Sequence, residues 1–72
     1  MSPDKMVYMA NQIALFFNTQ PNADKAGKVA AHLNDFWDPR MRRQLLDYVA
    51  GGGAGLDSLM IEAAAQVREP VS

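Results

Sequence analysis

The 72-residue chain contains no cysteine and only one histidine, His32. Without cysteine it can form neither a disulfide nor a thiolate metal site, and a lone histidine is too few for most transition-metal cages. Long apolar runs are also missing. The longest, Ile13-Ala14-Leu15-Phe16-Phe17, is far too short to cross a bilayer. Net charge is close to zero, at −1, so nothing draws the chain generally towards nucleic acid or an anionic membrane. The polar start Met1-Ser2-Pro3-Asp4-Lys5 lacks the charged-then-apolar order of a secretory signal. These absences lead us to expect a soluble, cytoplasmic protein with neither a membrane nor a nucleic acid as partner.

What is present reads as helix. The densest stretch is Phe36-Trp37-Asp38-Pro39-Arg40-Met41-Arg42-Arg43, which holds the only tryptophan and three of the seven basic residues. Asp38-Pro39 is a helix start: the carboxylate can accept from first-turn amides, and proline has no N–H to leave unpaired there. Proline also forces its predecessor out of helical geometry, so a preceding helix must stop at Trp37. Two helices therefore meet at an indole, and that corner is expected to be the packing centre.

The remaining periodicities give an all-α fold, a small bundle of about four short helices over 3–18, 22–37, 39–50 and 58–68, making one helical domain over residues 1–72. In the first, capped by Ser2-Pro3, the apolar stripe is Met6, Met9, Ala10, Ile13, Phe16 and Phe17. The second opens after Pro21, with Asn22 or Asp24 as its cap, and its stripe is Ala26, Val29, Ala30, Leu33, Phe36 and Trp37. Gly27 should loosen its early turns by about 1 kcal/mol relative to alanine. The third faces inward through Met41, Leu45, Tyr48 and Val49, and outward through Arg40, Arg43 and Asp47. The fourth, capped by Asp57, buries Leu56, Leu59, Met60, Ala63 and Val67. The structural core is thus expected to centre on Ile13, Phe17, Leu33, Phe36, Trp37, Met41, Leu45 and Leu59. The tail Glu69-Pro70-Val71-Ser72 should fray.

Residues off these stripes are the candidates for contact with a partner. Tyr8 and Leu15 lie two turns apart on the polar side of the first helix, either as a contact face or as ordinary surface residues. Leu46 lies at the margin of its helix's stripe, and Ile61 points away from its own, near Ala65 and Arg68. Arg40, Arg42 and Arg43 could form bidentate pairs with acidic groups of another protein. Arg42 and Leu46 could equally be half-buried. His32 sits at a stripe edge, where a single hydrogen bond would satisfy it.

Catalytic chemistry has no foothold. No nucleophile has a base at a recognisable spacing, the acids sit at caps or on outer faces, and no metal-ligand pattern occurs. Gly51-Gly52-Gly53-Ala54-Gly55 is not a dinucleotide fingerprint, since its last position is Leu56 and no strand precedes it. It also lacks the Gly-Lys-Ser/Thr of a P-loop. A helix terminator with a tight backbone contact explains it better. A chain this short buries roughly 60% of its unfolded surface, so its stability commonly depends on a partner.

Met9-Ala10-Asn11-Gln12-Ile13-Ala14 with Phe16-Phe17, then His32-Leu33-Asn34-Asp35-Phe36-Trp37-Asp38-Pro39-Arg40-Met41-Arg42, and finally Gly52-Gly53-Ala54-Gly55-Leu56-Asp57 resemble a known family. The chain is similar over about residues 6–68 to the small delta subunit of soluble, molybdenum-containing, NAD-dependent formate dehydrogenase. Ser58 departs from the proline expected in many relatives, and serine serves equally at a helix start. The resemblance implies a non-catalytic accessory subunit that binds no cofactor itself. The molybdenum–pterin centre, iron–sulfur clusters and FMN would sit on larger subunits, of which alpha is the foremost partner. It implies support of assembly or stability in a complex that oxidises formate and reduces NAD. Apart from the resemblance, the residues leave two other readings: a small DNA-binding or regulatory domain using its arginine-rich helix, and a module that self-associates as a homodimer.

Overall fold

The computed structural model describes residues 2–21 and 23–69. Four helices run in order, α1 (Pro3–Asn18), α2 (Lys25–Phe36), α3 (Pro39–Ala50) and α4 (Ser58–Ala64), with no strand among the described residues. Each helix starts on a side chain that accepts from a first-turn amide. Ser2 Oγ accepts from Lys5 N, Asp24 Oδ1 from Gly27 N, Asp38 Oδ1 from Met41 N at 2.8 Å and Asp57 Oδ1 from Leu59 N. These satisfy orphan donors locally, which is why the starts could be read from single residues.

Two helix limits differ from the expected 22–37 and 58–68. Helix α2 begins only at Lys25, because Asp24 is its cap; Asn22 lies outside the described residues. A Cβ on Gly27 would collide with that capping carboxylate, so the glycine leaves room for the cap to lie over the first turn. Helix α4 ends at Ala64, and the chain continues in tighter turns in which Gln66 N donates to Ala63 O and Val67 N to Ala64 O. Of the tail expected to fray, Pro70, Val71 and Ser72 lie outside the described residues.

Between α3 and α4 the glycines close the helix. Gly53 N donates to Tyr48 O and Gly52 N to Val49 O, the paired bonds of a Schellman cap. Gly52 and Gly53 have φ of 120° and 66°, which side-chain-bearing residues rarely adopt. Gly53 is also roofed by Ile61, whose Cδ1 lies 3.2 Å from where a Cβ would stand.

The most extensive packing is between α2 and α4, with α1 laid across α2, α3 and α4. Alanines occupy much of the contact surface: Ala10 and Ala14 on α1, Ala26 and Ala30 on α2, Ala63 on α4 are all buried. Around them are Met6, Val29, Leu33, Trp37, Leu45, Leu59 and Met60, while Ile13, Phe17, Met41, Leu46, Tyr48 and Val49 pack partly buried against this cluster.

Three residues of the expected inward stripes, Phe36 of the expected core among them, are on the outside instead. Met9 is 38% exposed, Phe16 59% and Phe36 75%. Helix α1 is apolar over about half its circumference, and the short alanines, not the large residues, meet the neighbouring helices. Val7 on the far flank packs inward while Met9 and Phe16 are left out. At the end of α2, adjacent positions point about 100° apart, so only one of Phe36 and Trp37 can enter the corner. Trp37, at 5% exposure, takes it.

Candidate interaction surface

The arginines expected to act together are separated by the fold. Arg40 is exposed at the first turn of α3. Arg43 Nη1 approaches Asp47 Oδ1 at 3.9 Å one turn on, a surface pair of little energetic weight. Arg42 turns inward and is engaged within the chain. Its Nη1 donates to Asn34 O at 3.3 Å and to Trp37 O at 3.2 Å, carbonyls at the end of α2 that no later helical amide reaches. Arg42 is therefore a clamp across the α2–α3 corner, not a free partner contact. Arg42→Ala is expected to cost about 1–3 kcal/mol in urea unfolding, whereas Arg40→Ala should stay within about 0.5 kcal/mol.

Two residues that sequence reasoning passed over hold α4 at both ends. Asn11 of α1 donates from Nδ2 to Gly55 O at 2.9 Å and accepts at Oδ1 from Asp57 N at 2.8 Å. Asn34 of α2 does the same one turn beyond α4, donating to Gln66 O at 3.4 Å and accepting from Arg68 N at 2.8 Å. Each amide thus pairs with a carbonyl and an N–H two residues apart, as a neighbouring strand would. The second clamp also explains why the chain leaves α-helical geometry before Val67. A signal was available: asparagine is a poor mid-helix residue unless its side chain finds a partner. Tyr48 adds a third tie, its hydroxyl donating to Ala54 O.

The other contact candidates divide. Leu46 packs half-buried against the core and Ile61, 38% exposed, covers Gly53. Tyr8 and Leu15 remain open, at 66% and 58% exposure, on the side of α1 opposite Met6, Ala10 and Ala14. A second apolar strip runs over the α1–α2 seam. Phe16 and Phe17 meet edge to face at 5.2 Å between centroids, Phe17 meets His32 at 6.1 Å, and His32 stacks on Phe36 at 4.9 Å. His32 thus sits between aromatic rings rather than making the single hydrogen bond expected of it. An open groove lies along this strip, lined by Gln12, Ile13, Phe16, Phe17 and His32. At about 200 Å² per ring, Tyr8, Phe16 and Phe36 leave roughly 400 Å² of aromatic surface in water.

Among the described residues no group of three or more His, Asp and Glu side chains converges, and no helix is long and apolar enough to cross a membrane. No curated protein matches the chain. Residues 5–64, a span containing all three strings quoted for the resemblance, match the family described as NADH-dependent formate dehydrogenase delta subunit FdsD. With most of its 72 residues inside that match, the chain belongs to the delta-subunit family of NAD-dependent formate dehydrogenases.

Proposed function

We propose that the chain is a non-catalytic accessory subunit that docks on the larger formate dehydrogenase subunits, alpha foremost, and supports their assembly or stability. The observation that carries this reading is the outer face of α1, where Tyr8 and Leu15 are 66% and 58% exposed on a helix already buried on its other side. A helix with one apolar face completes a bundle; a helix with two has a further surface to cover. In this reading the molybdenum–pterin centre, the iron–sulfur clusters and FMN belong to the larger subunits, and the chain contributes surface rather than ligands. Its place of action is the cytoplasm.

Affinity purification of the tagged chain from its host tests this. The wild-type chain should bring down a partner containing molybdenum and iron. Tyr8→Glu combined with Leu15→Glu should abolish recovery while leaving helical circular dichroism unchanged. Recovery of no metal-containing partner by the wild-type chain would count against the reading as a whole. Undiminished recovery by the double variant would remove α1 as the docking face.

A further inference from the structure

The outer face of α1 repeats itself about its middle. Counted from Gln12, exposed residues stand four and three positions before it, Tyr8 and Met9, and three and four positions after it, Leu15 and Phe16. At about 100° per residue, Tyr8 and Leu15 fall within about 20° of each other on one side of Gln12, and Met9 and Phe16 do so on the other side. Residues 6–18 carry no charge, and the charges of the helix, Asp4 and Lys5, stand together at its start. Gln12 is itself exposed, and no group among the described residues engages its amide.

We infer that this face of α1 pairs with the same face of a second copy of the chain, the two helices running antiparallel about a two-fold axis at Gln12. Such an axis keeps each residue on its own side of the seam and inverts its height along the helix. Tyr8 of each copy then meets Leu15 of the other, and Met9 meets Phe16. Gln12 meets Gln12, where each amide can donate to the other's side-chain oxygen. Lys5 comes beside the uncharged Thr19 of the other copy and lies about 21 Å from its own counterpart. A parallel pair would instead set Lys5 against Lys5 and align the two helix dipoles. At about 200 Å² per side chain, Tyr8, Met9, Leu15 and Phe16 leave roughly 450 Å² open on each copy, so pairing covers roughly 900 Å² in all. That is below the roughly 1,200 Å² at which stable complexes begin, so the pair is weak and exchanges readily. It occupies the face proposed above for docking, and a paired copy must therefore separate before a larger subunit can hold it. The inference itself rests on the symmetry of the face and not on the docking reading.

The solution mass of the full chain by sedimentation equilibrium, from about 1 µM to about 500 µM, is the first test, over a range that covers weak dimers. The wild-type chain should pass from one copy to two. Tyr8→Glu combined with Leu15→Glu should stay monomeric, since it sets carboxylates against each other at both contacts. The register is read by cross-linking, because the chain has no cysteine of its own. With oxidised glutathione added, Gln12→Cys should link two copies through a disulfide, while Lys5→Cys, too far from its counterpart, should link at least about tenfold more slowly. All these positions are exposed, so circular dichroism should be unchanged. A chain monomeric throughout, or Lys5→Cys linking as fast as Gln12→Cys, would overturn the inference. A monomeric chain that still brings down the metal-containing partner would sink the self-pair and leave docking standing. A dimer linked at Gln12→Cys that brings down no such partner would do the reverse.

Discussion

Replacing Trp37 by alanine is expected to lower stability by about 3–5 kcal/mol, the largest effect of any single substitution in this chain. The indole is 5% exposed and lies where α2 ends and α3 begins, in a buried cluster whose other members are five alanines and eight larger aliphatic or methionine side chains. None of these has the volume of an indole, so the space it would leave should persist as a cavity. For a domain of this length, total stability is commonly about 4–11 kcal/mol, and the loss corresponds to a drop of roughly 15 °C or more in melting temperature. Phe36→Ala, one residue earlier, is the control. At 75% exposure its ring contributes little to folding, and the change should stay within about 0.5 kcal/mol. Thermal melts of both variants check the pair of expectations. An unchanged Trp37→Ala melt would show that the indole is not core.

Asn11→Asp should also be damaging. It is isosteric and keeps the oxygen that accepts from Asp57 N, but it removes the N–H donated to Gly55 O and turns an oxygen towards that carbonyl. A second carboxylate is also brought close to Asp57. The expected cost is about 1–3 kcal/mol. Because the clamp anchors the entry to α4, amide exchange should accelerate in residues 58–64 before it does in α2. Uniform acceleration throughout the chain would show that α4 is not held as a separate unit.

These two positions also show how far the sequence could be read. Trp37 was legible because Asp38-Pro39 beside it is a local instruction: a cap, a fixed φ and a forbidden helical predecessor. The same holds for Ser2-Pro3 and Asp57, and for the glycines that close α3. Asn11 and Asn34 were not legible, since their partners lie 44 to 46 and 32 to 34 residues away. Arg42 was legible only in part, half-burial being one of the two readings it allowed. Beside Arg40 and Arg43 it looks like part of a charged patch, and only the folded corner supplies the two carbonyls that draw it in. Phe16 and Phe36 misled by size, because apolar periodicity identifies the face of a helix but not which half of a broad face its neighbours will choose. Tyr8 and Leu15, singled out because they broke the pattern, do lie open, and the surface reading rests on them.

The fold keeps its smallest side chains inside and several of its largest rings outside. A newly made copy without company therefore shows chaperones and proteases the kind of surface they use to recognise unfinished proteins. Its cellular abundance should then follow that of whatever covers Tyr8, Phe16 and Phe36, so that surplus copies are removed and stoichiometry corrects itself.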